Sequence, residues 1–179
     1  MLIYFTKFWQ KPILFRNFDN RIYQKRSLLR MNSIFDPKTA QEIQNRIESL
    51  QTESPRLWGK MDVAQMMAHC AIGLETATGK IHPQRTFLGK LVGGFLQGML
   101  TDDKPMGKDA PTHPTFVMAD IRNFDKEKSR LIALLKEFSA GGETGVTTSP
   151  HPFFGKITPT QWSSGTWKHL DHHLRQFGA

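Results

Sequence analysis

"TPTQWSSGTWKHLDHHLRQFG", residues Thr158 to Gly178, reads as one complete helix with its own start and stop. Thr158 supplies the N-cap, Pro159 the first helical position and Gln161 the reciprocal capping-box side chain. Gly178 follows Phe177 as the stop. On a wheel turning about 100° per residue from Trp167, Leu170, Leu174 and Phe177 make one apolar arc. Lys168, Asp171 and Arg175 lie between about 40° and 100°, the side expected to face water, and His172 at about 140° joins them. His169 and His173, at about 200° and 240°, fall on the inner flank of the arc beside Trp162 and Thr166. The histidine cluster therefore divides, with two rings facing in and one facing out.

Upstream, the chain reads as further helices separated by well-marked breaks. Asp36-Pro37 is an N-cap followed by an N1 proline, and Ala40, Ile43, Ile47 and Leu50 continue as one apolar stripe. Asp62 caps the next helix with Gln65 in capping-box position, and Gly79 ends it. A third long helix is expected from an Asp125 cap to Gly141-Gly142. "FLGKLVGGFLQGML", Phe87 to Leu100, is apolar but interrupted by Lys90 and four glycines. At 14 residues it falls short of the roughly 20 a membrane span needs, so it reads as a short, loose helix lying on the body. "TDDKPMGKDAPTHPTF" and "ETGVTTSPHPFFGKI" are long loops. No repeats or parallel-strand signals occur, and four principal helices with long connections predict an all-α four-helix bundle.

Composition agrees with a globular domain, at 39% hydrophobic and 22% charged residues. The net charge of +8 is unevenly spread. Residues 1–30 hold seven bases against Asp19 alone, whereas residues 31–179 carry 17 bases and 15 acids. The near-balanced charge of the main body thus argues against nucleic acid as the partner. Two segments follow: a basic extension over 1–30 and a domain over 31–179. The extension has no uninterrupted apolar run and no small-residue cleavage site, so it is not a secretory signal. Translation from Met31 is the expectation for it, with a basic membrane-surface anchor second. A single cysteine, Cys70, cannot form an intramolecular disulfide, which suits a cytoplasmic protein.

Two imidazoles at i and i+4 share one helix face a turn apart, as two ligands of one metal ion require. Neutral imidazole offers a lone pair without a charge to bury. The third ligand is expected to be His69, in "MMAHC", because Met66 and Ile72 place it in an apolar strip. Cys70 is rotated by about 100° and reads as a small buried residue. The other reading of all three rings is that of hydrogen-bonded core histidines. His82, His113 and His151 each adjoin a proline in a loop and read as turn residues, although the segment of His151 leads directly into the histidine helix.

The pattern of one histidine on the second helix and an HxxxH pair on the last resembles the DinB-like (YfiT-type) superfamily of four-helix-bundle metalloproteins. Many members read H-x-x-H-H on that helix with a glutamine soon after, here His169, His172, His173 and Gln176. "SIFDPKT", "HPFFGKITP" and "KHLDHHLRQFG" are similar to an uncharacterised branch of it, a domain of unknown function. The resemblance covers roughly residues 31–179. It implies that His69, His169 and His173 bind a divalent ion, zinc or nickel. It also implies a small-molecule partner, with a low-molecular-weight thiol of the mycothiol or bacillithiol type first in line, and leaves a homodimer open. Metal-dependent thiol transfer or hydrolysis is one functional class these residues allow. A non-catalytic small-molecule-binding or stress-related bundle is the other.

Overall fold

A computed structural model describes residues 32–108 and 112–179, and these residues are helical without a strand. The basic extension at 1–30, with its Met31 start and membrane-anchor readings, lies outside the described residues. Five α-helices occur among them: α1 Pro37–Ser49, α2 Val63–Ala77, α3 Phe87–Val92, α4 Phe124–Gly141 and α5 Pro159–Gln176. Three short 3-10 turns, Gln97–Leu100, Pro114–Phe116 and Gly142–Gly145, punctuate the connections.

The caps form where the side chains dictate. Asp62 accepts from Gln65 N at 2.8 Å while Gln65 Oε1 accepts from Asp62 N at 3.0 Å, a closed capping box. Thr158 and Gln161 repeat it at α5, at 3.2 and 2.9 Å. At α4 the cap is Asn123, which accepts from Lys126 N at 2.9 Å, rather than Asp125. Asp125 lies inside the first turn, where its charge complements the helix dipole.

α2 is apolar on nearly every side, which a helix tolerates only when it is enclosed. Met66, Met67, Ala68 and Ala71 are fully buried in it. It packs most extensively on α4 and then on α5, while α1 lies against α4 and α5. Ile43, Ile47, Leu74, Leu135, Phe138 and Leu170 join one continuous core drawn from all four longer helices. Each such side chain contributes about 1.5–3 kcal/mol by leaving water. Cys70 is buried in that core, and burial pushes its thiol well above the usual range.

α3 stands apart from this core. Gly89 and Gly93 press its inner side onto the Phe153 backbone, where a Cβ at Gly89 would come within 2.6 Å of the Phe153 carbonyl oxygen. Its large side chains therefore turn outward, and Phe87 is 78% exposed.

The expected wet side of α5 is mostly covered. Lys168 is buried because its ammonium donates to the Met99 and Asp102 carbonyls at 2.6 and 3.0 Å and to the Asp102 carboxylate. Asp171 is buried between Arg46 at 2.9 Å and Arg175 at 3.0 Å. The wheel gave the direction of these residues but not the loop and helix that cover them. No described helix is long and apolar enough to cross a membrane.

Candidate metal centre

α2 and α5 bring three imidazoles together. One ring nitrogen from each of His69, His169 and His173 lies within 4.8 Å of the others. Ring centroids are 4.8 Å apart for His69–His169, 4.6 Å for His69–His173 and 4.8 Å for His169–His173. His69 and His173 are buried, whereas His169 keeps part of its surface accessible. Gly73, one turn beyond His69, gives the His169 ring room; a Cβ there would sit 3.4 Å from Cε1 and Nδ1.

Neighbouring acceptors decide which nitrogens carry protons. The Phe116 carbonyl can only accept, so His69 Nδ1–H donates to it at 2.8 Å and Nε2 keeps a lone pair. Gln176 Nε2 donates to the Trp58 carbonyl at 2.7 Å, which turns Gln176 Oε1 toward His173. His173 Nδ1–H donates to that oxygen at 2.9 Å, so its Nε2 is also unprotonated. His169 Nε2 lies 2.8 Å from His69 Nε2, and with a lone pair on His69 it is His169 that donates.

Burial is the first cause that holds all three rings neutral. It lowers the pKa of His69, and the nearby His172 adds to that against the Phe116 hydrogen bond. It takes His169 well below the ordinary value, with His173 and His69 next in effect. It brings His173 to about 3, again with His69 adding. Three neutral nitrogens, two of them with lone pairs fixed by an orienting acceptor, are the donor set that zinc or nickel takes. The residues present therefore fit such an ion.

The remaining histidines divide as their surroundings require. His172 is half-buried edge-on against Trp58, at 5.7 Å between centroids. His113 caps the 114–116 turn by accepting from Thr115 N at 3.1 Å. His151 Nδ1 accepts from Phe153 N and Phe154 N at 3.0 and 3.2 Å, a turn role, while its ring packs on Trp162 at 4.9 Å. Glu75 is paired with Arg130 at 2.8 Å, and Asp171 with its two arginines. The orienting roles of Phe116 and Gln176 were not read from the sequence. Gln176 had a signal, since i, i+3 residues of a helix meet; a backbone carbonyl from a distant loop has none.

The sequence profile of a protein family of unknown function (DUF1569) matches residues 34–179, and the chain belongs to that family. No curated protein and no solved structure matches the chain.

Proposed function

We propose that the chain is a DinB-like four-helix-bundle metalloprotein in which His69, His169 and His173 hold one zinc or nickel ion. The observation that carries this reading is the pair of fixed tautomers. Phe116 and Gln176 both accept from Nδ1–H and so aim an Nε2 lone pair from His69 and His173 into the space shared with His169.

Three neutral ligands would leave such an ion its full double charge, and it would supply the Lewis acidity that makes a thiol or water nucleophilic near neutral pH. The protein's own part is positional. Gln176 and Phe116 fix ring orientation, and α2 excludes water from one side. Glu75 and Asp171, the acidic residues on the two histidine-bearing helices, are both engaged by arginines. That favours a substrate acidic enough to lose its proton on binding, as a thiol is, and supports thiol transfer over hydrolysis. The same engagement of both carboxylates also supports the second reading, a non-catalytic small-molecule-binding bundle.

Elemental analysis of the purified full chain tests the metal. The expected result is about one zinc or nickel per chain, lost in His169→Ala and in His173→Ala while the helical content stays. Protein purified under metal-replete conditions without a bound transition metal overturns the reading. Turnover with a low-molecular-weight thiol and an electrophile then separates the enzyme from the binding module.

A further inference from the structure

A concavity whose walls are largely apolar, with a few polar groups set into them, lies at the C-terminal end of α2, away from the histidine cluster. It encloses about 240 Å³, and its polar lining comes from Thr76, His82, Gln84, Arg85, Thr147 and Ser149. No carboxylate is among the residues that line it. Gly79, at φ +75°, shapes one wall; a Cβ there would meet Thr147 Oγ1 at 3.0 Å and His82 Cε1 at 3.6 Å. Thr147 N donates to the Ala77 carbonyl at 2.9 Å, which ties the opposite loop to the end of α2.

Arg85 is the unusual member. The other half-buried arginines among the described residues each hold a carboxylate: Arg46 on Asp171 at 2.9 Å, Arg122 on Asp120 at 3.0 Å and Arg130 on Glu75 at 2.8 Å. Arg85 is half-buried and has no such partner among the described residues. Its Nη2 donates to the Gly89 carbonyl at 2.7 Å, but its Nε is buried with no acceptor. Gly155, at φ +77°, lets the guanidinium lie against its backbone, where a Cβ would stand 3.1 Å from Nη2. A partly desolvated cation without a carboxylate partner is costly unless another anion completes it. Its uncompensated charge is felt by His151, whose pKa falls to about 4 through burial first and Arg85 second.

We propose that this cavity binds an oxyanion, the carboxylate or phosphate group of a small molecule, with Arg85 as its counter-ion and the Ser149 and Thr147 hydroxyls as further donors. Thr147 Oγ1 already accepts from Ser149 N at 3.1 Å, so its own proton is the one to give. Thr76 contributes shape only, because its hydroxyl is spent on the Ile72 carbonyl at 2.8 Å. The planar guanidinium fork matches a carboxylate or phosphate edge better than a halide. The cavity stands seven residues, roughly 10 Å, along α2 from His69, so the proposal holds independently of the metal.

The test is thermal unfolding of the full chain with inorganic phosphate and with succinate, each against sodium chloride at matched ionic strength. The expected result is a midpoint that climbs with the concentration of at least one oxyanion and not with chloride. Phosphate alone raising it identifies a phosphate group, and succinate alone a carboxylate. Arg85→Gln is expected to weaken the response at least tenfold in concentration while metal content matches the unsubstituted chain. His169→Ala, which disables the histidine cluster, is expected to keep the response in full. No oxyanion effect above chloride, an undiminished response in Arg85→Gln, or its loss in His169→Ala would each overturn the proposal. Should Arg85→Gln fail to fold, Ser149→Ala takes its place. A severalfold weaker response is then expected, and an unchanged one counts against the site.

Discussion

Gln176 is a small amide with two obligations, and both end at the histidines. Its nitrogen is committed to the Trp58 carbonyl, so its oxygen is left for His173 Nδ1. Replacing it by Leu removes the acceptor that fixes the His173 tautomer. The expected outcome for Gln176→Leu is a 10–100-fold loss of metal affinity, read by competition with a chromophoric chelator. Gln176→Glu keeps an oxygen for His173 and is expected to restore most of that affinity, although it loses the bond to Trp58. A purely structural role for Gln176 would show equal losses in both variants.

His151 sets a pH dependence at the same scale. Burial, then Arg85 and His113, lower its pKa from 6.5 to about 4. Between those values the unfolded chain binds the proton that the folded chain refuses, so stability rises with pH through this window. The stabilising difference is fully present above about pH 6.5 and is lost as the pH falls toward 4. Chemical denaturation at a series of pH values is expected to give a shallower slope for His151→Asn, because asparagine can accept from Phe153 N and Phe154 N without titrating. An unchanged slope would assign the dependence to other groups.

At the scale of elements, α3 tests how tightly backbone meets backbone. Gly93→Ala should gain helix propensity of about 1 kcal/mol in isolation. Here the added methyl would land on the Phe153 carbonyl oxygen, so the expected result is a net loss of about 1–3 kcal/mol and faster proteolysis around residue 93. Thr158→Ala removes half of a capping box and is expected to cost about 1 kcal/mol in denaturant titration.

The helix starts at Asp36, Asp62 and Thr158 were legible because a cap is a local event, complete within four residues. The start of α4 was misplaced by two residues because Asn123 and Asp125 are both strong caps, and the sequence alone does not rank them. The burial of Lys168 and Asp171 was not legible, since it depends on Asp102 and Arg46, 66 and 125 residues away. The three converging histidines were legible for the opposite reason. Two share a helix face by spacing, and His69 sits in an apolar strip that has to turn toward the same interior.

For the whole molecule, the proposed metal would couple occupancy of the histidine cluster to global stability, because His69 and the His169–His173 pair come from two helices that separate on unfolding. Free zinc at 100 times its dissociation constant is expected to add about 2.7 kcal/mol and a chelator to remove it, with no change in His169→Ala. Differential scanning calorimetry checks this directly.

The buried thiol offers a way to watch that coupling. Cys70 is the chain's single cysteine, 1% exposed and adjacent to His69 on the most enclosed helix. An alkylating reagent can meet it only when α2 comes away from its neighbours. Modification therefore behaves as a clock that ticks once per opening of the molecule, with no background from any other sulfhydryl. A cation that clasps α2 to α5 should slow that clock.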